Sequence, residues 1–295
     1  PMNLIDTHCH IHFNAYKDDM DEVIKRSLEK GVFMITVGTQ IDTSRHGLEV
    51  AEKYDGLWAT VGLHPNHLCE QSFIDDEELT PEQAQVVKTR CEIFDHEAYL
   101  KLAQHPKCVA IGEFGLDYYH LPEESDREVE IEKQKQSCRD HFELASEANL
   151  PVAIHSREAH PEQLALIKEF IAQNKIQRRG VIHCFTGTLE EAQAYVDLGF
   201  LISFTGIVTF KARAKDRLEN GLSPLQEVVR LLPLESIMVE TDAPYISPEP
   251  LRGQRNEPWH VIHVAKKIAE LKGISLEEVI EVTNENAKRM FGIEF

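Results

Sequence analysis

Eight alternations of a short β-branched run with a longer amphipathic stretch predict a single (β/α)8 barrel over residues 1–295. Two further observations support that class. Several of the short runs are almost wholly apolar, as parallel strands buried on both faces must be. The polar residues able to do chemistry stand at the ends of those runs, where a barrel gathers them at one mouth. An open doubly wound sheet would need a glycine-rich first β-α turn, and the first run is followed by none.

The strands are expected at 3–8, 33–38, 57–62, 109–112, 152–155, 180–183, 201–205 and 237–240. Helix starts are marked by Thr80-Pro81 with Gln83, Thr188 with Glu191, Ser223-Pro224 with Gln226, and Ser275 with Glu278, each spaced as a capping box. Gly31, Gly199 and Gly273 stand where helices should stop. The stretch 66–95 makes an enlarged loop after the third strand, with a short helix expected from Pro81, and 118–130 makes a second long loop. Residues 276–290 read as an extra C-terminal helix after the eighth repeat.

No apolar run approaches the roughly 20 residues of a membrane span, and no basic region followed by an apolar stretch marks a secretion signal. The six cysteines are scattered without a C-x-x-C pair, which fits free thiols in a reducing, cytoplasmic setting better than a disulfide framework. A net charge of −19 repels polyanions overall, which excludes a broad basic face for nucleic acid. Any phosphate substrate must be drawn in by local positive charge.

The first run ends in Asp6-Thr7-His8-Cys9-His10. Residues two apart on a strand share a face, so His8 and His10 can aim at one ion while Cys9 turns toward the helix layer. Alone, an H-x-H is an ordinary strand end. Here Glu113 ends the fourth run, His155 the fifth, His183 the sixth and Asp242 the eighth. Four imidazoles and two carboxylates converging on one mouth point to two divalent ions. His8, His10 and Asp242 would hold one, His155 and His183 the other, and Glu113 would bridge them. Paired ions acidify a water held between them, and Asp242 is placed to take its proton. The imidazole-rich set suits zinc or manganese, with magnesium an occupant in excess. His64, closing the third run, faces the same mouth as a substrate or leaving-group contact, and Arg157 is placed to clamp a phosphate.

With these segments in view, the chain resembles the TatD family of metal-dependent hydrolases over essentially its whole length. The likeness rests on Asp6-Thr7-His8-Cys9-His10, Gly62-Leu63-His64-Pro65, 112–117, 151–157, 183–187, 240–244 and Arg255-Asn256-Glu257-Pro258. It implies a metal-dependent phosphodiesterase with deoxyribonuclease activity, often a 3′→5′ exonuclease, and in some relatives deacylation of mischarged tRNA. Family metal positions fall on His8, His10, Glu113, His155, His183 and Asp242, and substrate-side residues on His64 and Arg157. The chain departs from the family pattern at Ile11-His12, at Pro161 and in the long acidic stretch 70–97.

Charge is unevenly spread. Residues 70–97 hold nine acids against two bases, and 120–132 six against one. Lys211, Arg213, Lys215 and Arg217 cluster after the seventh strand, and Arg252 and Arg255 follow the eighth. Barrels commonly bind phosphate on those two loops. A basic wall there, with Lys211, Arg213 and Arg255 touching substrate, suits a single-stranded DNA end or a nucleotide better than a duplex. Lys211–217 as a solvated helix start is the plain alternative.

Three rivals stand beside the nuclease: an amidohydrolase or lactonase, an aminoacyl-tRNA ester deacylase, and a barrel kept as a scaffold without turnover. The first often bridges its metals through a carbamylated lysine, and 109–118 contains no lysine. The last is disfavoured by six intact ligand positions. No membrane and no obligate protein partner are indicated.

Overall fold

The structure, a computed structural model, describes residues 3–74, 86–122 and 125–295. In chain order it runs β1 (Leu4–Cys9), α1 (Met20–Glu29), β2 (Val32–Val37), α2 (Ile41–Ala51), β3 (Leu57–Val61), β4 (Gln71–Ile74), β5 (Val86–Thr89), α3 (His96–Ala103) and β6 (Cys108–Asp117). It continues α4 (Arg127–Ala148), β7 (Val152–Arg157), α5 (His160–Ala172), β8 (Gly180–Ile182), α6 (Leu189–Asp197), β9 (Leu201–Phe204), α7 (Pro224–Leu231), β10 (Ile237–Val239), α8 (Val261–Lys272) and α9 (Leu276–Phe291). The fold class is the expected (β/α)8 barrel, with α9 as the extra C-terminal helix. Every predicted strand forms within one or two residues of its expected start.

Two compact units are distinguished in the chain: one comprises Pro1–Met34 and Cys184–Phe295, the other Ile35–His183. In the second, β3 pairs with β6, β6 with β7 and β7 with β8, all in parallel. In the first, β9 and β10 pair in parallel, and a bridge between Cys9 and Ala243 joins the end of β1 to the segment after β10. The α9 helix secures the other end of these strands. Asn284 Oδ1 accepts from the Ile5 amide at 3.2 Å and its Nδ2 donates to the Asn3 carbonyl, while Asn286 donates to the carbonyls of Leu234 and Ile237.

The caps at Thr188 and Ser223 form reciprocal boxes with Glu191 and Gln226, and Ser275 accepts from the Glu278 amide. Gly31, Gly199 and Gly273 all adopt positive φ. The helix expected from Pro81, with the cap at Thr80 and Gln83, lies outside the described residues. Its described flanks, β4 and β5, form an antiparallel ladder from Gln71–Thr89 to Ile74–Val86, which the sequence reading did not foresee.

Candidate functional site

In the unit Ile35–His183, the site is built around β6. All ten of its residues are buried, and its register slips against β7 between Ile111 and Phe114, at the point where Glu113 sits. Glycines permit the close approach. A methyl on Gly115, whose φ is +147°, would stand 1.9 Å from the His155 carbonyl oxygen. Glu113 Oε1 is the focus of three imidazoles: His155 Nδ1 at 3.1 Å, and His64 Nε2 and His183 Nε2 each at 3.4 Å. Burial pushes the Glu113 carboxyl up, but the neighbouring His183 and His64 and the bonds from His155 and His64 outweigh it and hold the group well below its usual range.

Two of these imidazoles, His155 and His64, are oriented from behind. His155 Nε2 donates to Asp117 Oδ2 at 3.1 Å, leaving Nδ1 toward Glu113. Burial disfavours the charged ring, yet the bonds to Asp117 and Glu113 carry His155 up to about 9. Asp117, itself fully buried, also accepts from His120 Nδ1, from Asn66 Nδ2 and from the amides of Tyr119 and His120. His64 Nδ1 accepts from the Asn66 amide at 3.1 Å, which turns Nε2 inward. One residue earlier, the Leu63 amide donates to His141 Nε2 at 2.9 Å, and His141 Nδ1 donates to the Ser137 carbonyl. Arg157 lies with its guanidinium 4.1 Å from the centre of the Tyr119 ring.

In the unit Pro1–Met34 with Cys184–Phe295, a second cluster is set by β1 and the turn after β10. His8 and His10 share a face, and Cys9 between them is fully buried on the other. Asp242 has φ +56°, a left-handed turn that brings its Oδ1 to 3.2 Å from His10 Nε2 and 3.5 Å from His8 Nε2. The turn is stitched to β1: the Asp242 amide donates to the His8 carbonyl, and the His10 amide to that of Ala243. Below it, the fully buried Asp6 accepts from the Thr241 amide and hydroxyl and from the His8 amide. Burial raises the Asp6 carboxyl well above its ordinary value despite those bonds.

The donor chemistry fits divalent ions in both places. One ligand atom from each of His8, His10 and Asp242, and likewise from His64, Glu113 and His155, lie within 4.8 Å of one another. Separations of 3.1–3.5 Å between nitrogen and carboxylate oxygen are those of neighbouring ligands bonded at about 2.0–2.2 Å to one ion. Mixed imidazole and carboxylate donors suit a borderline metal.

The basic residues stand differently. Lys211 and Arg213 are exposed on the loop between β9 and α7, not at a helix start, and Arg213 pairs with Asp216 at 2.6 Å. Arg252 stacks 4.0 Å over Phe210. Arg255, expected to touch substrate, is engaged elsewhere: its guanidinium grips Asp19 through both nitrogens, donates to the Ala15 carbonyl and lies 4.5 Å over Tyr16. Asp19 stands ten residues past the end of β1, just ahead of α1, and nothing in that position signals such a grip. The reading also passed over Asp117 and Asp6. Strand parity could have found both, since each stands an even number of residues from a site residue, Asp6 from His8 and Asp117 from Glu113.

The TatD related DNase family model matches residues 5–292. The chain is 38% identical over 291 residues to the metal-dependent hydrolase YabD of Bacillus subtilis, spanning 98% of this chain and 99% of that one. It is 31% identical over 300 residues to the 3′-5′ ssDNA/RNA exonuclease TatD of Escherichia coli, spanning 99% and 100%. Among solved structures, the TatD homologue YJJV of Escherichia coli superposes with a TM-score of 0.77 at 27% identity, covering 99% of both chains. The family match over nearly the whole chain, the likeness to full-length relatives and the common barrel agree, and the chain belongs to the TatD family of metal-dependent hydrolases.

Proposed function

We propose that this hydrolase is a phosphodiesterase, a deoxyribonuclease working 3′→5′ on single-stranded or frayed DNA ends. The observation that carries the reading is the pairing of two anionic foci with imidazoles: Glu113 facing His64, His155 and His183, and Asp242 facing His8 and His10. His8, His10 and Asp242 would hold one divalent ion, and Glu113, His155 and His183 would hold another. Bound there, the ions supply Lewis acidity toward a phosphoryl oxygen and acidify water. Zinc, manganese and magnesium are the candidates. The likeness to the 3′-5′ ssDNA/RNA exonuclease of Escherichia coli supports the substrate class.

The chain's own groups divide the remaining work. Asp242 accepts the proton of the attacking water, its carboxylate held forward by the left-handed turn. His64 Nε2 stands beside Glu113, placed to give a proton to the leaving oxygen. Arg157 contacts the phosphate. Lys211 and Arg213 attract the strand from their exposed loop, offsetting the net charge of −19. Arg255 is left out of this contact set because Asp19 holds it.

The test is purified protein with Mn²⁺, Zn²⁺ or Mg²⁺, offered 3′-labelled single-stranded DNA, a D-aminoacyl-tRNA and dihydroorotate in parallel. The expected result is release of nucleotides from DNA, reduced about 100-fold or more by Asp242→Asn. Turnover of the tRNA ester or the dihydroorotate with DNA untouched would replace the nuclease by that chemistry.

A further inference from the structure

Resting on the proposed function, a role can be assigned to a motif that function does not otherwise use, Arg255-Asn256-Glu257-Pro258. Its charged members face outward to α1. Arg255 grips Asp19, and Glu257 accepts two bonds from Arg26, at 2.8 and 2.7 Å, and a third from Trp259 Nε1. The Tyr16 hydroxyl donates to the Asn256 carbonyl. The main chain at Asn256 is therefore clamped, and its side chain is sent inward with no exposed surface.

That carboxamide is fully used. Its Nδ2 donates to three carbonyls, Thr241 at 3.0 Å, Tyr245 at 2.7 Å and Ile246 at 3.2 Å. Its Oδ1 accepts from the Glu257 amide at 3.0 Å and from His260 Nδ1 at 2.9 Å. The Asn256 amide adds a bond to the Pro244 carbonyl. The residues so tied bracket Asp242 on both sides. The bracketed turn includes φ values of +56° at Asp242 and +55° at Ile246, conformations that a non-glycine residue keeps only when its surroundings impose them.

We infer that Asn256 is a positioning residue for Asp242: its amide NH2 closes the turn after β10 and so aims the carboxylate at His8 and His10. Aspartate at 256 would match the shape but offer acceptor oxygens to three carbonyls, so it should open the turn. Alanine should leave those carbonyls buried without a donor.

The experiment uses the full chain with Asn256→Ala, Asn256→Asp, Asp242→Asn and the two double variants. Calorimetric titration with Mn²⁺, hydrogen exchange at 241–246 without metal, and kcat and KM on single-stranded DNA at saturating Mn²⁺ are measured. Expected are faster exchange confined to the turn, about 10- to 100-fold weaker Mn²⁺ binding or lower kcat, and little change in KM. Because Asn256 acts through Asp242, its substitution should cost almost nothing further in the Asp242→Asn background. Losses that multiply in the double variants, or a lowered Tm with kcat, Mn²⁺ affinity and local exchange intact, would overturn the role. Failure of both Asn256 variants to fold would also overturn it, since the amide would then be supporting the fold and not the turn. If Asp242→Asn alone leaves DNA cleavage intact, the proposed function falls, while the exchange and Mn²⁺ readings still decide Asn256.

Discussion

His141 shows how one buried ring can support a neighbour it never touches. It lies under the His64 segment with Nε2 accepting from the Leu63 amide, a task open only to the neutral imidazole. Burial pushes it down to about 3, with the Ser137 carbonyl opposing weakly. The folded value lies below the unfolded one, so the stability it contributes is complete above about 6.5 and is lost as pH falls toward 3. Urea unfolding at pH 5.0 should show a loss of about 2 kcal/mol from this ring relative to pH 7.5. Glutamine offers the same donor and acceptor without titrating, so His141→Gln should lack that part of the decline. A variant as pH-sensitive as the parent would refute the assignment. The chemistry of the site was largely legible at this scale, because histidines and carboxylates at strand ends announce themselves. Their supports were not. Asp6 and Asp117 could be found only by counting strand parity from His8 and Glu113, and Asn256 lies off the strands, where burial alone gives it meaning.

At the scale of elements, β6 and β7 are brought together by what is missing from their side chains. Gly115→Ala places a methyl against the His155 carbonyl oxygen in a backbone region alanine avoids. A loss of about 3 kcal/mol is expected, read as Tm, with weaker metal binding through His155. Gly221→Ala is the contrast. It also has positive φ, +84°, but nothing lies within 4 Å of its new methyl, so about 1 kcal/mol is expected. Equal losses at the two positions would deny that close packing, not φ, sets the cost at Gly115. The strands were readable because parallel strands buried on both faces are continuous apolar runs, and the helices because their caps recur. The β4–β5 pair escaped for the opposite reason. Gln71–Ile74 and Val86–Thr89 are four-residue strands beside an acidic stretch, too short to show alternation.

For the molecule as a whole, metal and stability should be coupled. An ion that binds only the folded chain at about 100 times its Kd adds about 2.7 kcal/mol, which in a chain of this size raises Tm by roughly 5 °C. Adding Mn²⁺ to chelator-treated protein should produce that rise, reduced in Asp242→Asn. No rise in the unsubstituted protein would argue against folded-state ligand sets. The net charge of −19 could be read from composition, and so could its clash with a polyanionic substrate. How Arg255 is used could not. A guanidinium that looks available in the sequence is closed by Asp19, far away along the chain.

The two units also differ in how the chain supplies them. Ile35–His183 is one continuous stretch, and it carries His64, Glu113, Asp117, His155 and His183 together. The other unit joins two separate stretches, Pro1–Met34 and Cys184–Phe295. During synthesis, its histidines at 8 and 10 leave the ribosome more than 200 residues before Asp242 and the Asn256 beneath it. One half of the donor set can thus be completed mid-translation. The other must wait, its imidazoles exposed to whatever ions the surroundings offer, until the closing segment arrives.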